Sequence, residues 1–240
     1  MAIWVAKRPS ELGEFCTLAA ERFDPRREFL LSQSSDTGGL SLGQIITLCG
    51  SKVDASTSTA QRYLILDTSD AREGVVVCKK EAVPAHQIGS TKKAIQPGDV
   101  IISRLRPYLR QVALVDAGIH NWAEDVQTIC STEFFVLRPV GELSIAFLAC
   151  FLLSQPVQAV LAASQEGGHH PRFNEETLLR LPVSQRILDR RQDISHTVEE
   201  SVRRYRESER AIIALIEEAD QAYTDPDSTK TGLLSPVSGL

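Results

Sequence analysis

Three arginines stand within seven residues, Arg104, Arg106 and Arg110 in the run RLRPYLR, together with Pro107 and Tyr108. A guanidinium is a planar fork of donors, suited to phosphate oxygens or to a guanine edge. Tyr108 adds a ring that can stack on a base or a sugar. A surface hairpin whose arginines are simply solvated has the same composition, and composition alone does not separate the two readings. Lys79, Lys80, Lys92 and Lys93 lie just upstream. They suit phosphate contacts, which fix position and affinity but carry no sequence information. Solvated loop lysines are the plain alternative.

Other chemistries find less support. Asp99 and Glu133 are the carboxylates a nuclease would bring together, but FFVLRP after Glu133 contains no E-x-K lysine. No Walker-type phosphate loop, dinucleotide glycine fingerprint or Asn/Asp-Pro-Pro-aromatic motif occurs. His169 and His170 are adjacent in EGGHHPRFNEETLLRLPV, with no cysteine pair or third histidine nearby. Neighbours on a loop seldom chelate together, so no metal is expected, and no cofactor. Cys16, Cys49, Cys78, Cys130 and Cys150 are scattered without a CxxC pair, as reduced thiols in a cytoplasm would be.

The elements that must carry these residues are legible around them. Pro97-Gly98 with Asp99 is a turn, Val100–Ser103 a short buried strand, and residues 111–115 its antiparallel partner. Residues 63–66 and 74–78 read as further strands, and residues 126–137 as another, with Ser131-Thr132-Glu133 in a structural role. Residues 118–125 form a polar loop carrying Trp122, a variable reading loop or a lid over the core. Residues 143–154 and 157–164 are apolar at helical spacing and split by Pro156. Asn174 is a good N-cap, Glu175 and Glu176 favour the positive end of the next helix, and Pro182 stops it. A short helix over 10–20 and a loop over 32–39 precede all of this.

At 240 residues the chain suits one domain with an appendage. No apolar run reaches membrane-spanning length, and MAIWVAKRPSELGEF has no apolar signal core. The net charge of −5 argues against a nucleic-acid partner until its distribution is considered. Residues 71–110 hold eight Lys/Arg against three Asp/Glu, whereas residues 188–227 hold six against eleven. A basic recognition face and an acidic helical stem would then coexist, and random clustering on a solvated surface is the plain alternative.

The ordered pieces GDVIISRLRPYL, QVALV, STEFFVLRP and GGHHPRFNEETLLRLPV resemble the target recognition domain of bacterial type I restriction–modification specificity subunits (HsdS-like proteins). The resemblance covers roughly residues 41–184 and runs on into a long helix where that family has spacer helices. SLGQIITLCG from Ser41 resembles the short capped helix that opens the family's recognition domain, and ERFDPRREFLL loosely resembles its lead-in. The resemblance implies sequence-specific binding of double-stranded DNA on behalf of an adenine methyltransferase, a restriction subunit or both, in the bacterial cytoplasm and in antiviral defence, with no catalysis in this chain. It also implies that the 166–183 loop lies beside DNA. The expected contacts are then Lys92, Lys93, Ser103, Arg104, Arg106, Tyr108, Arg110, His169, His170, Arg172 and Asn174. The rival readings are a nuclease acting directly on nucleic acid and a helix-mediated scaffold without a DNA role.

From 187 to 223 the chain is almost free of Pro and Gly, and apolar residues alternate at steps of roughly three and four. That is the seam of a coiled coil, weakened at Arg191 and Ser208. Ile194, Val198, Val202, Tyr205, Ile212 and Ile216 would face a second long helix. Family members carry two recognition domains and two spacer helices, whereas this chain has one of each. It resembles a half-subunit that forms a homodimer or pairs with a second half. The expected fold is α+β: a lead-in over 1–40, a mixed, mainly antiparallel recognition domain with packed helices over 41–186, a spacer and dimerisation helix over 187–223, and a disordered tail over 224–240.

Overall fold

A computed structural model describes residues 6–11, 25, 38–53, 62–119, 126–165 and 171–224. The expectations for Trp122, His169, His170 and the tail beyond residue 224 fall outside these residues, as does most of the lead-in. Of the helix expected over 10–20, only a one-turn 3-10 helix at Pro9–Glu11 is described.

In chain order the strands are β1 (Leu40–Ser41), β2 (Ile46–Leu48), β3 (Lys52–Val53), β4 (Arg62–Leu66), β5 (Ala71–Arg72), β6 (Val75–Val76), β7 (Val83–Pro84), β8 (Lys92–Ala94), β9 (Val100–Ser103), β10 (Val112–Leu114), β11 (Val126–Ser131) and β12 (Phe134–Pro139). Helices α1 (Phe147–Leu153), α2 (Gln155–Ala163) and α3 (Glu175–Leu179) follow, then β13 (Pro182–Val183), α4 (Gln185–Asp189) and α5 (Arg191–Thr224). The architecture is α+β, as expected. One sheet runs β10-β9-β12-β2 and is wholly antiparallel. A second runs β3-β8-β11-β4-β7, with β11 and β4 as its parallel pair.

The first sheet is a middle layer, which explains its unbroken apolar strands. Val100 and Ile102 of β9, Val112 and Leu114 of β10, and Phe135 and Leu137 of β12 join Phe147, Leu148, Leu152 and Leu161 of the helices in one core. The alternate residues Ile101, Ala113, Phe134 and Val136 join Leu64, Leu66 and Cys130 in a second core. A strand covered on both faces has no polar face to show, so its sequence reads as a continuous apolar run. Burial of this kind also pushes the Cys130 thiol up to about 12, which keeps it neutral.

Ser41 caps a single 3-10 turn, Leu42–Gln44, through a capping box with Gln44, rather than a longer helix. Just before it, β1 pairs with β13, setting Leu40 opposite Val183 and Ser41 opposite Pro182. Gly39 fits there because it lacks a side chain: a Cβ would stand 2.4 Å from the Val183 carbonyl oxygen.

Two expectations need correction. The strand expected over 126–137 is two strands, β11 and β12, separated by a turn at Thr132-Glu133 and belonging to different sheets. The helix expected over 187–223 is also two, because Arg190 leaves helical geometry at φ −102°, ψ 5°.

The chain divides into two compact units, Met1–Val202 and Arg203–Leu240. In the first, Ile194 and Val198 pack on the helix-side core and Val202 is a buried member of it. Ser195 donates to the Ser144 carbonyl and accepts from the Phe147 amide. These seam positions are therefore filled by the chain's own body, because the β10-β9-β12-β2 sheet and α1 leave room for one more apolar stripe. In the second unit Ile212, Ile213, Leu215 and Ile216 are exposed.

Candidate nucleic-acid interface

The β9–β10 hairpin is anchored at its base by a buried charge. Asp99 is fully buried, and Arg138 donates to it from Nε at 2.9 Å and from Nη2 at 2.7 Å. The Gln96 amide adds a bond of 2.9 Å to the same carboxylate, closing the Pro97-Gly98 turn. Gly98 sits at φ 91°, a conformation that strongly favours glycine.

Beyond β9 the chain makes a tight, closed loop. The Ser103 hydroxyl is buried and bonded to both backbone groups of Leu105, so it shapes the turn and is not presented to a ligand. Pro107–Leu109 is a 3-10 turn between two left-handed residues, Arg106 at φ 44° and Arg110 at φ 53°. L-residues pay about 1–2 kcal/mol each for that region, so the surrounding bonds must over-determine the turn. Leu109 N donates to Arg106 O at 2.9 Å, and Arg110 N to Pro107 O at 2.8 Å. Arg110 is held from the side as well: its Nε reaches Glu73 at 2.8 Å, and Glu73 is itself left-handed at φ 44°.

The tip is tied to two distant segments. Arg104 donates from Nε to Glu133 Oε2 at 2.8 Å, and its amide donates to the Glu133 carbonyl at 2.9 Å. Arg172 donates to the same carboxylate from Nε at 3.0 Å and from Nη2 at 2.6 Å. Leu105 bridges to Arg172, and the Phe173 amide donates to the Arg104 carbonyl at 3.2 Å. The Phe173 ring then lies 5.6 Å from that of Phe135, which seats the loop on the core. The hydrogen bonds from Arg172 hold the Glu133 carboxyl down at about 2, with those from Arg104 acting the same way against partial burial. Glu133 therefore stays ionised, and one anion aligns two guanidiniums.

The structure brings Arg104, Arg106, Tyr108, Arg110 and Arg172 into one region, and Ser103, Asn174, Lys92 and Lys93 make contacts within the chain. Arg106 and Tyr108 are exposed, and no described residue pairs with the Arg106 guanidinium. Asn174 is the N-cap of α3, accepting from the Thr177 amide at 2.9 Å. Lys93 donates to the Phe134 carbonyl at 2.7 Å and lies over the Phe135 ring, and its burial lowers its pKa. Lys92 bonds Ser90 at 2.6 Å. The roles of two carboxylates escaped sequence reasoning. Glu133 was expected to be structural but not to clamp two arginines, and Glu73 was not singled out. No local pattern marks either, because their partners are 29 to 39 residues away.

Comparison with known proteins bears on the fold. No family model matches the chain, and no curated protein matches it either. A solved structure concerned with complex assembly and conformational transition of the type I R-M system contains a similar chain, with a TM-score of 0.54 and 22% identity over 84% of this chain and 50% of that one. The fold is thus one found in a type I restriction–modification assembly. The HsdS subunit from Thermoanaerobacter tengcongensis is also similar, with a TM-score of 0.45 and 23% identity over 82% of this chain and 51% of that one. The chain spans about half the length of each.

Proposed function

We propose that this chain is a non-catalytic, sequence-reading half-subunit of a type I-like restriction–modification or phage-defence complex. It binds double-stranded DNA and directs a partner adenine methyltransferase, a restriction subunit or both to the target. The observation that carries this reading is the arginine-bearing hairpin, clamped through Glu133 to the Arg172 segment, within a fold of the type I assembly. The clamp turns two flexible guanidiniums into fixed donors, so less freedom is lost when they meet DNA.

The nuclease reading loses its candidate carboxylates. Asp99 is buried against Arg138 and Glu133 is shared by two arginines, so each is already neutralised by the chain's own cations. The stem reading narrows to the second unit, where Ile212, Ile213, Leu215 and Ile216 leave a stripe that suits a second long helix. A second copy of this chain is favoured over a different half, and two identical readers would make the target palindromic.

The test is salt-dependent binding of duplex DNA by the chain together with its methyltransferase. Replacing Arg104 and Arg106 with Ala should weaken specific binding by roughly 1–3 kcal/mol for each residue that meets a guanine edge. Unchanged affinity in a folded double variant removes the hairpin from the interface, and metal-dependent cleavage by the pure chain overturns the non-catalytic reading. Light scattering checks the stem: Ile212→Glu with Ile216→Glu should dissociate the assembly and leave the first unit folded.

A further inference from the structure

Two bulky apolar side chains stand side by side in water at the apex of the hairpin. Tyr108 is 63% exposed and Leu109 is 47% exposed. Neither is needed by the core beneath, which Val100, Ile102, Val112 and Leu114 already fill. The turn that carries them is not soft. Pro107 beside them is buried, left-handed Arg106 and Arg110 bracket them, and backbone bonds close the turn at both ends. A strained and over-determined backbone that holds apolar groups out in solvent is a feature of functional sites.

The neighbours identify what the pair would meet. Arg106 is exposed on one side, Arg110 is half-exposed on the other, and Arg104 and Arg172 lie behind on Glu133. An apolar protein surface closing over the apex would strip water from the Arg106 guanidinium, which no described residue pairs, without giving it a partner. Duplex DNA offers phosphates to the cations and a stack of flat apolar rings to Tyr108 and Leu109. Resting on the DNA-reading function proposed above, we infer that Tyr108 and Leu109 form a wedge that enters one base step of the duplex and partly unstacks it. A rigid turn is what such a wedge requires, because a soft one would fold flat against the stack. Wedges of this type select by deformability, so flexible pyrimidine–purine steps are favoured at the point of entry. The hairpin then carries two kinds of readout, donors for base edges and phosphates and an apolar edge for stiffness.

A selection from random sequence tests the wedge. The full chain with its methyltransferase is presented with a pool of duplexes carrying a randomised 20-base-pair core, a length of about two helical turns, and the retained fraction is sequenced. The expected result is an enriched site containing a pyrimidine–purine step at one fixed position. In that site, 2-aminopurine placed at the step should brighten at least about twofold on binding, as unstacking relieves its quenching. Tyr108→Ala with Leu109→Ala should abolish the brightening and the step preference while the rest of the selected site persists. Tyr108→Phe should keep both, because the wedge uses the ring and not the hydroxyl. No enrichment at all overturns the DNA-reading function, and the wedge with it. Enrichment by the unaltered protein without brightening at any position overturns the wedge alone, whether or not the variants fold. A double alanine variant that reads DNA normally but no longer holds the methyltransferase assigns the apex to a protein partner, and also overturns the wedge.

Discussion

Two of the arginine–carboxylate sites that hold the hairpin, one at its base and one at its tip, differ in almost every physical respect. At the base, Asp99 is fully buried, meets one guanidinium in bidentate geometry and also takes a backbone amide. At the tip, Glu133 is 23% exposed and is shared by two guanidiniums, each more than a third exposed. A buried pair gains little over an apolar replacement, yet it is costly to break because the remaining charge is stranded. The base site therefore fixes where the hairpin is. A half-exposed cluster carries a smaller stability term and leaves donors turned outward. The tip site fixes how the arginines are presented.

Removing one partner at the base should give the largest effect. Arg138→Ala strands the Asp99 charge and should lower unfolding free energy by about 3–5 kcal/mol, read from chemical denaturation. A loss below about 1 kcal/mol would erase the distinction between the two sites. At the tip the balance reverses. Arg104→Ala should weaken specific DNA binding by about 1–3 kcal/mol while changing stability by no more than about 1 kcal/mol. Anisotropy titration beside urea melts separates the two quantities.

Acid should act on the tip through Glu133. Its folded-state pKa is about 2, below that of an unfolded glutamate at about 4.3. Its contribution is thus fully present above pH ~4.3 and is lost as pH falls toward about 2. Glu133→Gln should flatten that part of the stability–pH curve, and an unchanged slope would show that the clamp contributes nothing. The smallest effect belongs to Arg106, which no described residue pairs. Arg106→Ala should leave stability within about 0.5 kcal/mol and, where Arg106 contacts a phosphate, lower the slope of log affinity against log salt by about one.

Much of the base was legible in the sequence and little of the tip. Pro97-Gly98-Asp99 announced a turn, and the apolar runs on either side of RLRPYLR announced paired strands, because turn chemistry and burial act locally. Thr132-Glu133 announced nothing. A turn without Gly or Pro between two strands reads as one strand, although β11 and β12 enter different sheets. The Glu133 clamp joins positions 104, 133 and 172, which only the folded chain brings together. The stem shows the same limit. Ile194, Val198 and Val202 obey the same spacing as Ile212 and Ile216, yet the first three meet the chain's own core and the last two are exposed. Periodicity states that a stripe needs cover and does not state whose.

The pairing of β1 with β13 has a consequence for how such a body can be handled genetically. Leu40 and Val183 face each other across one strand pair, so the sheets and α1–α3 are closed at one spot before Leu188, Ile194, Val198 and Val202 add their cover to the same core. Neighbouring ends of this kind tolerate insertion into a host chain, tandem repetition and circular permutation. The stretch from Leu40 to Val183 is therefore closed by a single seam, and any exchange of it must keep the cover that Leu188, Ile194, Val198 and Val202 give its core. That seam has one strict requirement, the absence of a side chain at Gly39.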